Sequence, residues 1–156
     1  MSEPSVRDFY DDLAHDYHPT FRDWDASIAY QAEVLGGLVR QSLGAGPHTV
    51  LDCSCGIGTQ AIGLARAGHQ VVGSDLSPVA AARRRRGGGA WQSASAAAAD
   101  MRQLPFRETS FDVVLCADNS LTHLLSGQDL REMYRTSATD GIRSAGRVRR
   151  AGRGSS

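Results

Sequence analysis

The chain has 156 residues, of which 41% are hydrophobic, and its formal net charge is zero. This length favours one domain with a core of ordinary size, and the balanced charge gives no overall attraction to nucleic acid or to membranes. No apolar run approaches the roughly 20 residues of a membrane span. Met1–Phe21 also lacks the basic start and apolar centre of a secretory signal, so we expect a cytoplasmic protein that does not contact membranes.

Residues 1–46 are predicted to form an N-terminal helical cap. A first helix is expected over Val6–Tyr17, and a longer one is expected from a cap at Asp25 to about Leu43. A Gly–Pro segment then ends the second helix. Its apolar positions recur at helical spacing and predict one buried face, formed by Ile28, Ala32, Leu35 and Val39.

The middle of the chain predicts a strand, a tight turn, a helix and a second strand. We expect strands at Thr49–Cys53 and Gln70–Asp75, with a helix at Thr59–Ala67 between them. An acid closes each strand, Asp52 in the first and Asp75 in the second. Parallel strands bind nucleotide-like ligands in the crevice beyond their carboxyl ends, so a nucleoside-containing cofactor is the leading prediction.

The later elements follow a less regular pattern. Ser77 and Pro78 predict the start of a helix, and the mostly apolar Phe111–Ala117 predicts a strand covered on both faces. A third strand is due within residues 83–99, but three consecutive Gly and a run of Ala disfavour it there. From residue 135 to 156 the chain is rich in Arg, Gly and Ser and lacks apolar periodicity, which predicts a disordered tail.

The three cysteines, Cys53, Cys55 and Cys116, are typical of a reducing compartment. A C-x-C pair without Cys or His partners nearby is a weak metal signal, so no metal site is predicted. We interpret these residues as small side chains in a turn and at a strand end.

The motif D-C-S-C-G-I-G-T at residues 52–59, with Asp75 19 residues after Gly56, resembles the cofactor-binding core of class I S-adenosylmethionine-dependent methyltransferases. Two later stretches, residues 99–101 and 111–124, resemble further motifs of that family. The run Y-H-P-T-F-R-D-W at residues 17–24, together with D-N-S-L-T-H-L, resembles its glycine and sarcosine N-methyltransferase branch.

The resemblance covers Tyr10–Met133 and implies an α/β fold with a doubly wound, Rossmann-like parallel sheet. The expected strand order is 3-2-1-4, under an N-terminal helical lid. Strands five to seven of the family have no counterpart after Met133. Residues 47–134 are therefore predicted to be an incomplete cofactor-binding core, truncated at about four strands.

The resemblance also implies S-adenosylmethionine as the cofactor. Asp52 is expected to hold its ammonium group, Asp75 both ribose hydroxyls, and Asp100 the adenine amino group. Gly56 and Gly58 let the backbone approach the ligand without a Cβ collision. The predicted cofactor-binding residues are Tyr17, Trp24, Asp52, Ser54, Gly56, Gly58, Asp75, Leu76, Asp100 and Met101.

The reaction implied is methyl transfer to a small-molecule acceptor, with an amine indicated by the branch resemblance alone. Asp118, Asn119 and His123 follow the fourth strand and are the predicted catalytic residues. Because the sulfonium is already reactive, catalysis would rest mainly on aligning donor and acceptor and on excluding water.

Three alternatives remain open. Residues 56–61 also satisfy the G-x-G-x-x-A pattern of an NAD(P)-binding oxidoreductase, although Asp52 would repel a pyrophosphate there. The bias of residues 83–99 and 135–156 is typical of GC-rich DNA read in a wrong frame, so a truncated, non-catalytic fragment with little turnover is the second hypothesis. An Arg-rich tail that binds nucleic acid is disfavoured because no aromatic residues interleave the arginines.

Overall fold

The computed structural model describes residues 23–78, 94–117, 124 and 126–137. Among the residues described, no helix combines the length and the apolar character needed to cross a membrane. The helices within them are α1 (Trp24–Leu43), α2 (Thr59–Arg66) and α3 (Gly127–Tyr134); the strands are β1 (Thr49–Asp52), β2 (Gln70–Asp75), β3 (Ala94–Ala98) and β4 (Val113–Leu115).

The described strands form one parallel sheet in the order β3-β2-β1-β4, which confirms the predicted fold class and strand order. β1 lies between β2 and β4, and Asp52 at its end is in register with Gly73 and Leu115. The carboxyl ends of all the strands therefore meet at one edge of the sheet. The acids that close β1 and β2 both lie toward that edge, with Asp75 two residues beyond Gly73, the partner of Asp52.

Alternate residues of each strand pack against opposite layers. One face carries Val50 and Val71 against α1 and α2, and the other carries Leu51 beneath Met133 of α3. Val50, Leu51 and Met133 are completely buried. A sheet covered on both faces explains the near-continuous apolar runs in its central strands.

α1 begins at a different cap from the one predicted. Asp23 has extended backbone and its carboxylate accepts the N–H of Ala26 at 2.9 Å, whereas Asp25 lies in the first turn. Asp25 instead pairs with Arg66 of α2 at 3.3 Å. The predicted buried face of α1 is confirmed at Ile28, Leu35 and Val39, while Ala32 is partly buried.

α1 and α2 cross closely at Gly63. A Cβ atom added to Gly63 would stand 2.9 Å from the carbonyl oxygen of Ile28 and 3.1 Å from Cβ of Ala32. Because the nearest atom belongs to the backbone, neither helix can accommodate the extra methyl without moving. The glycine therefore sets the separation between the two helices.

We expect Gly63→Ala to lower the free energy of unfolding by about 1 kcal/mol or more, since overpacking outweighs the gain in helix propensity. Gly37→Ala in α1 is the matched control, because its new Cβ would meet only a guanidinium nitrogen of Arg40, at 4.0 Å. That variant should be equally or more stable than the wild type. Urea unfolding of both variants checks this, and similar changes in the two would contradict close packing at Gly63.

Two strands differ from their predictions. β4 is shorter than the predicted Phe111–Ala117 strand, because Phe111 forms an isolated parallel bridge with Ser137 before β4 begins. The Ala run, judged a poor strand, nevertheless forms β3 as an edge strand beside β2. Its residues are partly buried or exposed, so little side-chain bulk is required there. The predicted helix at Val6–Tyr17 lies outside the described ranges, as do residues 79–93, into which the helix predicted from Ser77 and Pro78 would run.

The prediction that a disordered tail begins at residue 135 is wrong for its first three residues. The guanidinium of Arg135 donates to the carbonyl oxygens of Leu104 and Phe106, at 2.9 and 3.0 Å. Thr136 is completely buried, and its carbonyl oxygen accepts the N–H of Phe111. These long-range contacts attach the segment to the core, and residues 138–156 lie outside the described ranges.

At the opposite edge of the sheet from the strand-end acids, His48 and His69 stack with ring centroids 5.7 Å apart. His69 is buried, and its Nδ1 accepts the backbone N–H of His48 at 3.2 Å. Burial, followed by the nearby His48 and Arg40, lowers the pKa of His69 below its usual value. A proton on Nδ1 would also remove the acceptor for His48.

This arrangement predicts a pH-dependent stability. Because the folded-state pKa of His69 is lowered, the unfolded chain takes up the proton first. The contribution of His69 is therefore complete above the usual His pKa of about 6.5 and is lost as the pH falls through the folded-state pKa. His69→Asn keeps an acceptor without the titration, so its unfolding free energy should depend less on pH in the range where histidine titrates. Urea unfolding over a pH series checks this, and an unchanged pH dependence in the variant would contradict it.

Candidate functional site

The turn between β1 and α2 has an unusual backbone. Gly56 and Gly58 both have positive φ, 48° and 94°, and Gly58 is the residue that precedes the first turn of α2. A Cβ atom built on Gly56 would meet nothing within 4 Å. The turn therefore leaves open space directly above its backbone, where a ligand can approach closely.

The acid that closes β2 is tied to this turn. Asp75 accepts the N–H of Gly56 on one carboxylate oxygen at 2.7 Å and the N–H of Ser77 on the other at 2.9 Å. The residue is only partly buried. Asp75 is thus held in a fixed orientation by the backbone, with accepting capacity left for a ligand.

The acid that closes β1 lies deeper. Asp52 is completely buried, and one of its carboxylate oxygens faces the N–H of Ser54 at 3.4 Å. The hydroxyl of Ser54 in turn donates to Sγ of Cys116, the residue that follows β4. The Asp75 carboxylate therefore contacts the glycine turn itself, while the Asp52 carboxylate lies buried beside Ser54, just before that turn.

Trp24 lies at the start of α1 and reaches the start of α2. Its indole N–H donates to the hydroxyl of Thr59 at 3.1 Å, which places the indole beside the glycine turn. Thr59 was not among the predicted site residues. Its place as the first residue of the helix after the turn could have indicated that its hydroxyl lies at the site. Trp24 was predicted, and the structure positions it through this contact.

Asp100 is already paired with a neighbour that the sequence analysis missed. The guanidinium of Arg102 donates to both carboxylate oxygens of Asp100, at 2.6 to 3.1 Å, and the Arg102 N–H adds a bond of 2.9 Å. The hydrogen bonds from Arg102 lower the pKa of Asp100 below its usual value. An adenine amino group would have to share this carboxylate with Arg102. The Asp-x-Arg spacing in the sequence could have predicted this ion pair.

Apart from Trp24, the predicted residues divide into three groups. Asp52, Ser54, Gly56, Gly58 and Asp75 come together at the ends of β1 and β2. Three further residues adjoin them: Leu76 follows Asp75 directly, and the N–H of Ala99 donates to the carbonyl oxygen of Asp75, so Asp100 and Met101 start from the same edge. The predictions that fall outside the described residues are Tyr17, Asp118, Asn119 and His123.

Cys53 and Cys55 do not form a pair. Cys53 packs in the cluster beneath α3, while Cys55 packs on the other face and its thiol donates to the carbonyl oxygen of Ser74 at 3.0 Å. In the part of the chain that the structure describes, no group of three or more His, Cys, Asp or Glu residues is arranged to hold a metal ion. The site therefore offers carboxylates, backbone N–H groups and open space, which suit an organic ligand with hydroxyl and amino groups.

The chain is similar to known methyltransferases in sequence and in structure. It is 34% identical, over 149 residues, to the glycine/sarcosine/dimethylglycine N-methyltransferase of Actinopolyspora halophila, covering 88% of this chain and 26% of that protein. It is 36% identical, over 139 residues, to the glycine/sarcosine N-methyltransferase of Parasynechococcus marenigrum, covering 85% and 49%. The chain thus spans about a quarter and about half of these two relatives.

The solved structure of a TehB-like SAM-dependent methyltransferase from Corynebacterium glutamicum superimposes with a TM-score of 0.62 at 23% identity. The similarity covers 83% of this chain and 69% of that one, and it supports the fold. The methyltransferase domain family matches residues 50–141, which include the glycine turn, Asp52, Asp75 and Asp100. With the parallel sheet and the strand-end acids in place, this match shows that the chain belongs to the methyltransferase domain family.

Proposed function

We propose that the chain binds S-adenosylmethionine and transfers its methyl group to a small-molecule amine. The observation that carries this proposal is the position of Asp75, whose carboxylate joins the end of β2 to the N–H of Gly56 in the glycine turn. Asp52, buried at the end of the adjacent strand, supplies a second carboxylate beside Ser54, just before the turn. Family membership supports the same reading.

The residues of the site fit the parts of this cofactor. Asp75 is oriented to accept hydrogen bonds from vicinal ribose hydroxyls, and the open space above Gly56 admits the ligand to the backbone. Asp52 carries the charge that complements an ammonium group. Leu76 and Met101, both partly buried, offer apolar surface to the adenine, while Asp100 would accept from its amino group beside Arg102.

The bound cofactor supplies an electrophilic methyl group on a sulfonium, so the protein has mainly to position the reactants. The backbone hydrogen bonds to Asp75 hold that carboxylate rigidly, which limits movement of the ligand. Trp24, fixed by Thr59, covers the side of the turn and contributes to excluding water. Asp118, Asn119 and His123 are proposed on sequence grounds to contact the acceptor or take up its proton.

The proposal of an amine acceptor rests on the two relatives, whose names specify glycine, sarcosine and dimethylglycine. Membership of the methyltransferase family argues against the NAD(P)-binding alternative. The truncated fragment with low turnover is the second candidate, since the chain spans about a quarter and about half of these two relatives.

The proposal is tested by incubating the purified chain with methyl-labelled S-adenosylmethionine and a panel of acceptors. The panel contains glycine, sarcosine and dimethylglycine as small amines, with a protein mixture and nucleic acid as the other classes. We expect label in one or more small amines, and little in Asp75→Ala. Label only in protein or nucleic acid would overturn the acceptor class. Binding of cofactor without transfer to any acceptor would favour the non-catalytic fragment.

A further inference from the structure

Cys53 and Cys116 face each other across the β1–β4 pair. The N–H of Cys53 donates to the carbonyl oxygen of Leu115 at 2.9 Å, which continues the register in which Asp52 lies opposite Leu115. Residues opposite each other on neighbouring parallel strands lie roughly 5 Å apart. That separation falls within the range of roughly 4.4–6.8 Å between the Cα atoms of a disulfide.

The two side chains also share one face of the sheet. Both belong to the apolar cluster beneath α3, and the Cys53 thiol donates to the carbonyl oxygen of Leu115, the residue before Cys116, at 3.2 Å. Cys53 is buried, with 1% of its surface exposed, whereas Cys116 is partly exposed. Ser54, the residue after Cys53, donates its hydroxyl to Sγ of Cys116.

The surroundings make Cys116 the more reactive thiol. The hydrogen bond from Cys53 lowers the pKa of Cys116, and a second bond from Ser54 acts in the same direction. The same contact, with burial and the charge of Asp52, holds the pKa of Cys53 above its usual value. A thiolate is the nucleophile in thiol oxidation, so the first attack belongs to Cys116.

We propose that Cys53 and Cys116 form a reversible disulfide when the protein meets a peroxide. In the first step the Cys116 thiolate attacks one oxygen of hydrogen peroxide: an S–O bond forms, the O–O bond breaks, and the departing hydroxide takes a proton to become water. In the second step the sulfur of Cys53, losing its proton, attacks the sulfur of the Cys116 sulfenic acid. The S–S bond forms, the S–O bond breaks and a second water leaves.

The balance is two thiols and one peroxide giving one disulfide and two waters. The cross-link joins the ends of β1 and β4 directly below Ser54 at the start of the glycine turn. A thiol reductant reverses it by exchange. The proposed disulfide does not depend on the proposed function, because neither step involves the cofactor or a methyl acceptor.

The full chain is treated with hydrogen peroxide, alkylated under denaturing conditions and digested with trypsin. Cleavage at the arginines places Cys53 and Cys55 together in residues 41–66, and Cys116 in residues 108–131. Wild type should lose two alkylatable thiols and yield these peptides cross-linked, with recovery of both thiols after dithiothreitol. Complete alkylation of all three thiols after peroxide treatment would overturn the proposal.

Variants show which cysteine of the peptide spanning residues 41–66, Cys53 or Cys55, forms the link. Cys55→Ser is the matched control and should cross-link as wild type does, since Cys55 lies on the other face. Cys116→Ser should abolish the link, and Cys53→Ser should leave a sulfenic acid on Cys116 that dimedone traps. Circular dichroism verifies folding, and Cys53→Ala replaces Cys53→Ser if needed. A cross-link that persists without Cys53 would contradict the assignment.

Discussion

Replacing Asp75 with Ala is expected to weaken the binding of S-adenosylhomocysteine by about 1.5–3 kcal/mol, the scale of hydrogen bonds to a charged group. The structure gives the reason, because the carboxylate is held by the N–H groups of Gly56 and Ser77 and stands partly exposed at the edge of the turn. Calorimetric titration of the wild type and the variant measures the difference. Equal dissociation constants would refute the proposed ribose contact.

Asp75→Ala could also weaken binding indirectly, because the loss of the carboxylate removes the hydrogen bond that holds the glycine turn in shape. Asp75→Asn separates the two, because it keeps one carbonyl oxygen to accept a backbone N–H while losing the charge and half of the accepting capacity. We expect this variant to bind with intermediate affinity. Asp25→Ala is the matched control, since Asp25 is an exposed acid paired with Arg66 away from the turn, and it should bind as the wild type does.

Replacing Arg135 with Ala is expected to lower the free energy of unfolding by about 2–3 kcal/mol, because charged hydrogen bonds to two carbonyl oxygens are lost together. These carbonyls belong to Leu104, which is buried, and Phe106, which packs edge-on against Phe111. Arg135, which follows α3 directly, also bonds to Glu132 of that helix at 3.1 Å. Urea unfolding measures the loss.

Two further variants identify the cause. Arg131→Ala removes an exposed guanidinium from the same helix and should change stability little. Arg135→Lys should recover only part of the loss, because one ammonium does not reproduce the fork that reaches two carbonyls. If Arg135→Ala were as stable as Arg131→Ala, residue 135 would belong to a tail without structural contacts, as the sequence first indicated.

The sequence predicted those elements of the fold that depend on residues close together in the chain. β1, the glycine turn, α2 and β2 were predicted closely because apolar runs, glycine and terminal acids lie within one short stretch. The choice of Asp23 over Asp25 as the α1 cap was not predictable, since two acids lie within three residues of each other at the start of the helix and the pairing of Asp25 with Arg66 is tertiary.

The remaining differences also come from contacts between distant residues. Arg135 bonds to carbonyls 29 and 31 residues earlier, which no local pattern in an Arg-rich segment reveals. β3 forms from a run of Ala because an edge position demands little bulk, and that position follows from the topology alone. At the site, the sequence identified Asp52, Asp75 and the glycines, but it did not anticipate that Arg102 would engage Asp100.

The central claim is that the ends of β1 and β2 bind S-adenosylmethionine, and thermal melting of the purified chain with increasing S-adenosylhomocysteine tests it most directly. A ligand that binds only the folded state raises the melting temperature with its concentration. We expect one cooperative transition that rises with S-adenosylhomocysteine and rises much less in Asp75→Ala. A melting temperature unaffected by S-adenosylhomocysteine, or raised more strongly by NADH, would contradict the account.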